Sequence, residues 1–131
     1  TISTWMEIGA NSKSHKKDLC GTFSNYGKEN VDVFAPGVQV IGCVPNDEYA
    51  VLDGTSFACP ITSGVAALVW SHYPELSALE LKDIIMESSK SYGRKKVKIP
   101  GEKKKARFRD LSLTGGVVNA YNALKLAEKN S

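Results

Sequence analysis

Asp53-Gly54-Thr55-Ser56-Phe57-Ala58-Cys59-Pro60 runs directly into Ile61-Thr62-Ser63-Gly64-Val65-Ala66-Ala67-Leu68-Val69-Trp70, and the reading of the chain turns on this join. The second stretch is apolar on nearly every side, which predicts a helix from Ser56 to about His72 surrounded by protein. The first places a glycine and two hydroxyl residues at the mouth of that helix, where the backbone N–H groups lack partners and the dipole is positive. Such a position suits an anion. It would let the Ser56 N–H donate to the oxyanion of a tetrahedral acyl intermediate while Ser56 Oγ is the attacking atom. Pro60 has no N–H for the Ser56 carbonyl, so the first turn is expected to be distorted there. A plainer reading, with Thr55 or Ser56 only an N-cap ahead of a core helix, satisfies the same pattern.

Working outward, Phe23-Ser24-Asn25-Tyr26-Gly27 and Val31-Asp32-Val33-Phe34-Ala35-Pro36-Gly37 precede the serine. Together with Gly54 to Pro60 they resemble the F-S-[N/S]-x-G, D-[V/L]-x-A-P-G and G-T-S-x-A-x-P segments of the subtilisin-like serine peptidases, the subtilases. Downstream, the order of helix, shorter helix, Gly115-Gly116 and final helix agrees as well, so the resemblance covers Thr1 to about Ala127. It implies an α/β chain, part of a three-layer fold with a mostly parallel sheet and a long buried helix after the nucleophile. It also implies that Ser56 is the nucleophile with its N–H as oxyanion donor. Leu52, Asp53, Gly54 and Thr55 are implied to bind substrate, Leu52 and Asp53 on the leaving-group side. On this resemblance residues 1–131 are the C-terminal portion of a subtilase catalytic domain, with 94–109 a basic insertion.

Serine attacks poorly at neutral pH unless a histidine takes its proton and a carboxylate orients that histidine. Subtilases carry the three in the chain order Asp, His, Ser. Neither histidine here fits. His15 lacks the glycine context of the family's residue, and His72, sixteen residues beyond Ser56, would lie about 24 Å away at 1.5 Å per helical residue. Asp32 stands in a different motif from the family's acid and is expected to be a structural carboxylate receiving backbone donors. Asn11 and Asn25 are poor substitutes for the family's side-chain oxyanion donor. The expectation is therefore a serine endopeptidase fragment, inactive alone, whose substrate is polypeptide and whose partner is the missing N-terminal half. An incomplete sheet also predicts self-association through its open edge. The competing reading is a non-catalytic binding or structural domain that retains the scaffold.

Composition limits the other classes. Three cysteines leave at least one unpaired; Cys59 is expected to be a small buried hydrophobe, and a Cys20 to Cys43 bridge stays open. No C-x-x-C or H-x-x-x-H spacing points to a metal. No cofactor is identifiable, and the resemblance leaves calcium open only for a longer parent protein. The 17 basic and 14 acidic residues are unevenly spread, since Arg94 to Arg109 holds nine bases and one acid. With a single aromatic, Phe108, that tract does not favour nucleic acid and is expected to be a mobile, solvated loop. No apolar run is long enough for a membrane span, and no signal pattern opens the chain; export to an extracellular or periplasmic location is what the resemblance implies.

Local patterns supply the remaining elements. Strands are expected within Thr4 to Ala10, at Val31 to Phe34 and at Val38 to Val44, the last two largely buried. Ser77 and Glu80 form a capping-box pattern, with Leu76 and Leu81 as its staple, opening a helix to about Ser88. The closing helix is expected to pack through Val118, Tyr121, Ala123 and Leu124.

Overall fold

The computed structural model describes residues 4–131. Its sheet has the order β1-β2-β8-β5, formed by β1 (Ile8–Asn11), β2 (Val33–Pro36), β5 (Lys90–Ser91) and β8 (Gly116–Val117). The first three in that order run parallel and β5 is antiparallel. One face of the sheet carries Ile8, Ala10, Val33 and Ala35 against Ala58 of helix α1 (Thr55–His72). Strand alternation turns Phe34 to the opposite face. There it lies so close over Gly9, its register partner, that a Cβ on Gly9 would meet the ring at 2.7 Å.

Helices α2 (Ala78–Glu87) and α3 (Ala120–Asn130) pack with α1 around Val69, Leu81, Ile84, Ile85, Ala123 and Ala127. The start of α2 follows from its sequence: the Ser77 N–H donates to Glu80 Oε2 at 2.8 Å, and the Glu80 N–H returns to Ser77 Oγ at 3.3 Å. These bonds to Ser77 hold the Glu80 carboxyl below its ordinary range, because they favour the charged form. Asp32 has the structural role expected of it, accepting from the Glu7 N–H at 2.8 Å, with Lys82 Nζ 4.0 Å from its other oxygen.

Four expectations change. The long helix after Ser56 forms, but only Ala58, Thr62 and Val69 are buried, and Leu68 and Trp70 are exposed; an all-round apolar pattern says what a helix tolerates, not what this chain can cover. Strands β3 (Val40–Val44) and β4 (Glu48–Leu52) make an antiparallel hairpin closed by Asn46 and Asp47 at positive φ. It is not largely buried: Ile41, Tyr49 and Val51 face solvent. Tyr121 is exposed rather than packed, because Ala123 and Ala127 form the buried stripe of α3.

The fourth change concerns Arg94 to Arg109, which is folded rather than a mobile loop. Strands β6 (Lys96–Lys98) and β7 (Lys105–Arg107) pair antiparallel, with Val97 opposite Ala106. Val97 and Phe108 are fully buried with Phe34, Leu19 and Leu111, and the Phe34 and Phe108 rings lie 4.9 Å apart. Two well-placed apolar side chains thus dock nine cations. Helices cover one face of the sheet, while this hairpin and the loops around Leu19 and Val31 cover the other.

Candidate active site

The Ala35-Pro36-Gly37 turn sets the position of Ser56. After β2 the Gly37 N–H donates to the Asn11 carbonyl at 3.0 Å, and the Gly37 carbonyl accepts from the Gly54 N–H at 2.7 Å. One residue thus ties the end of β1 to the mouth of α1. Beside it the Gln39 N–H donates to Asp53 Oδ1 at 2.6 Å, which holds Gln39 at a φ of 54° and closes the β3–β4 hairpin just beyond the Val40 and Leu52 pair. Gly54 has φ 155° and ψ 154°, a region open essentially to glycine alone.

The turn then tightens. The Phe57 N–H bonds back to the Gly54 carbonyl at 3.0 Å, and α1 continues through Pro60. No N-cap side chain bonds to this helix start, and neither the Thr55 nor the Ser56 N–H donates to a partner among the described residues. Ser56 is exposed. An uncapped helix start with an exposed hydroxyl and free N–H groups can hold a negative oxygen; the simple N-cap reading of Thr55 or Ser56 has no hydrogen bond to support it.

Ser56 and Thr55 open onto a cleft of about 410 Å³ whose other walls include Trp5, Glu7, Phe23, Asn25 and Cys59. Trp5 Nε1 donates to Glu7 Oε1 at 2.7 Å. The other expected substrate residues are not among the walls of this cleft: Leu52 ends β4, and Asp53 and Gly54 are engaged by Gln39 and Gly37. Both histidines are occupied elsewhere. His15 stacks on Tyr92 with ring centroids 5.3 Å apart, and His72 Nδ1 lies 3.1 Å from the Leu68 carbonyl at the far end of α1.

Cys59 is a correction. It is exposed and lines the Ser56 cleft, because a residue three positions along a helix shares the face of the first. That spacing was the signal for it; the apolar neighbours obscured it. Cys20 and Cys43 are both free thiols, one buried and one exposed, so the bridge left open by the sequence does not form. Burial pushes the Cys20 thiol up to about 12, which removes it as a nucleophile. Among the described residues no group of three His, Cys, Asp or Glu side chains could hold a metal, and no helix is long and apolar enough to cross a membrane.

A sequence model described as the Subtilase family matches residues 1–114. Subtilisin DY of Bacillus licheniformis is 40% identical over 72 residues, 55% of this chain and 26% of that protein. A cell wall-associated protease of Bacillus subtilis (strain 168) is 33% identical over 84 residues, 64% of this chain and 9% of that one. Among solved structures, one of the subtilase cytotoxin superposes with a TM-score of 0.74 at 27% identity, over 95% of this chain and 37% of its own. The chain thus spans under a third of the length of the curated relatives it matches.

Proposed function

Because this chain belongs to the subtilase family, we propose that it carries Ser56 as the nucleophile of a serine endopeptidase, with the Ser56 N–H as one oxyanion donor. The carrying observation is the exposed hydroxyl at an uncapped helix start with its own N–H free. In this reading Ser56 Oγ adds to the scissile carbonyl of a polypeptide. Its proton passes to a histidine, and the negative oxygen settles against the N–H at the positive end of α1. Leu52, Asp53, Gly54 and Thr55 bind the chain, Leu52 and Asp53 on the leaving-group side. The histidine, its aspartate and a side-chain oxyanion donor come from polypeptide outside residues 1–131, so these residues alone are inactive. Placement of His15 and His72 away from Ser56 supports this.

A fluorophosphonate probe tests both parts. The natural full-length protein is expected to be labelled rapidly at Ser56, and residues 1–131 alone very slowly. Rapid labelling of the short chain that disappears in Ser56→Ala would sink the claim of a base supplied from elsewhere, while unlabelled full-length protein would sink the peptidase reading.

The same reading accounts for the bare surfaces. Strand β1 is the outer strand of the sheet, and the solvent side of α1 carries Leu68 and Trp70. In the short chain these are proposed to drive self-association, so light scattering should give more than a monomer's mass. Export belongs to the proposal on family grounds and is checked by cell fractionation.

A further inference from the structure

We propose that the outer face of the β6–β7 hairpin, together with the loop of residues 13–17 beside it, docks a linear acidic polysaccharide. The proposal goes beyond the reading of Ser56 and needs none of its chemistry. Residues 13–18 and 94–109 hold twelve of the seventeen basic residues and two of the fourteen acids, a net +10, while the rest of the chain holds five bases and twelve acids, a net −7. The fold gathers these two segments into one surface. The Lys98 N–H donates to the Lys17 carbonyl at 2.8 Å, Lys95 Nζ donates to the His15 carbonyl, and the His15 and Tyr92 rings stack 5.3 Å apart.

The hairpin fixes the spacing of its charges. Val97 is fully buried and sits opposite Ala106, so strand alternation puts Lys96, Lys98, Lys105 and Arg107 together on the exposed face. Lys96 is paired with Arg107, and Lys98 with Lys105. Partners across an antiparallel ladder have Cβ atoms about 5 Å apart, and alternate residues along a strand lie about 7 Å apart. The result is a two-by-two grid of cations. Among the described residues its one counter-ion is Asp18, whose Oδ1 lies 2.9 Å from Lys98 Nζ. The bond from Lys98, with the charges of Lys17 and Lys105 behind it, holds the Asp18 carboxyl below its ordinary range, so loop and hairpin cations act on the same spot.

This surface offers charge and little else, which selects the partner. Phe108 is buried, and the Tyr92 ring carries His15 stacked on it with Lys90 and Lys95 Nζ each 5.7 Å from its centroid. The patch therefore lacks the row of open rings on which nucleic-acid bases stack. The exposed face of the hairpin has no apolar side chain to enter a bilayer or to form the apolar centre of an interface with a folded acidic protein. A chain of sugars with an anion on each repeat asks only for cations at regular intervals. Nine of the twelve in the patch are lysines, compact charges on flexible stems that need no planar, bidentate match.

The test uses the full-length protein at pH 7 and fluorescein-labelled polygalacturonate, a linear sugar with one carboxylate per repeat, with uncharged dextran as the blank. Anisotropy should show binding in about 50 mM salt that weakens at least about tenfold by about 200 mM, because docking releases bound counterions. Lys96→Gln with Arg107→Gln should also weaken it about tenfold or more. Both sites are exposed, so this variant loses charge and no packing; should it fail to fold, Lys16→Gln with Lys17→Gln must give the same loss. Lys125→Gln with Lys129→Gln removes as much charge from α3, across the sheet, and should change binding by less than about twofold, since charges beyond a Debye length are screened. Equal losses in the hairpin and α3 variants would reduce the effect to net charge and overturn the patch, as would no binding of polygalacturonate. Tighter binding of a thymidine oligonucleotide, polyglutamate or phosphatidylglycerol vesicles would overturn the polysaccharide as partner. Binding is read without cleavage, so its failure and a failure of the peptidase reading remain distinct.

Discussion

Replacing Ser56 with alanine in the full-length protein is expected to lower kcat about a millionfold, a scale carried across from subtilisin, whose triad behaves as a unit. Ser56 Oγ accepts and donates no hydrogen bond among the described residues and is exposed, so the substitution removes the attacking atom and little else. Melting temperature and substrate KM should stay near those of the parent. Active-site titration with an irreversible acylating inhibitor separates this from misfolding: the variant should bind substrate and never burst. Retention of even a hundredth of the parent turnover would remove Ser56 from the chemistry.

Gly37→Ala is the second large effect, and it reaches the same site through the backbone. A Cβ there would stand 2.6 Å from Ala10 Cβ, 2.7 Å from the Gly54 carbonyl oxygen and 3.2 Å from Ala58 Cβ. Three segments converge on that point, and all three contacts are to backbone or to a Cβ fixed by it, so no side chain can swing aside. Overpacking of this kind costs about 1–3 kcal/mol, or roughly 4–11 °C in Tm for a domain of this size. The bond from the Gly54 N–H would be strained with it, displacing Ser56; a shift near 1 Å costs about a hundredfold in turnover. Gly64→Ala is the contrast. Nothing lies within 4 Å of its added Cβ, and a mid-helix alanine should stabilise residues 1–131 by up to about 1 kcal/mol. Thermal melts of the two variants should move in opposite directions; parallel shifts would refute the packing argument.

What was legible in the sequence was local. The capping box at Ser77 and Glu80 needs only residues three apart, and it forms as written. The strand that ends at Gly37, the glycine at 54 and the helix behind Ser56 follow from motifs in which backbone freedom and hydroxyl placement coincide. Coverage was not legible. The alternation Lys96-Val97-Lys98 and Lys105-Ala106-Arg107 gives one apolar residue per strand, too little to outweigh nine cations on paper. Val97 nevertheless docks fully because Phe108 brings the hairpin onto Phe34. The exposure of α1 and of β3–β4 was hidden for the converse reason: apolar sequence shows that burial is tolerated, while the partner surface is set by contacts far along the chain or outside these residues. Of the Ser56 cleft, Trp5, Glu7 and Phe23 arrive from segments whose proximity no spacing rule encodes.

Across the β6–β7 ribbon Lys96 faces Arg107 and Lys98 faces Lys105. Cations opposed in this way push the strands apart, and among the described residues only Lys98 of the four has a counter-ion, Asp18. Electrolyte shortens the reach of that repulsion from about 10 Å at 0.1 M to about 3 Å at 1 M. Dilute buffer should therefore loosen the ribbon and brine should tighten it, a trend that amide exchange at Val97 and Ala106 would register and that a protein held mainly by ion pairs would reverse.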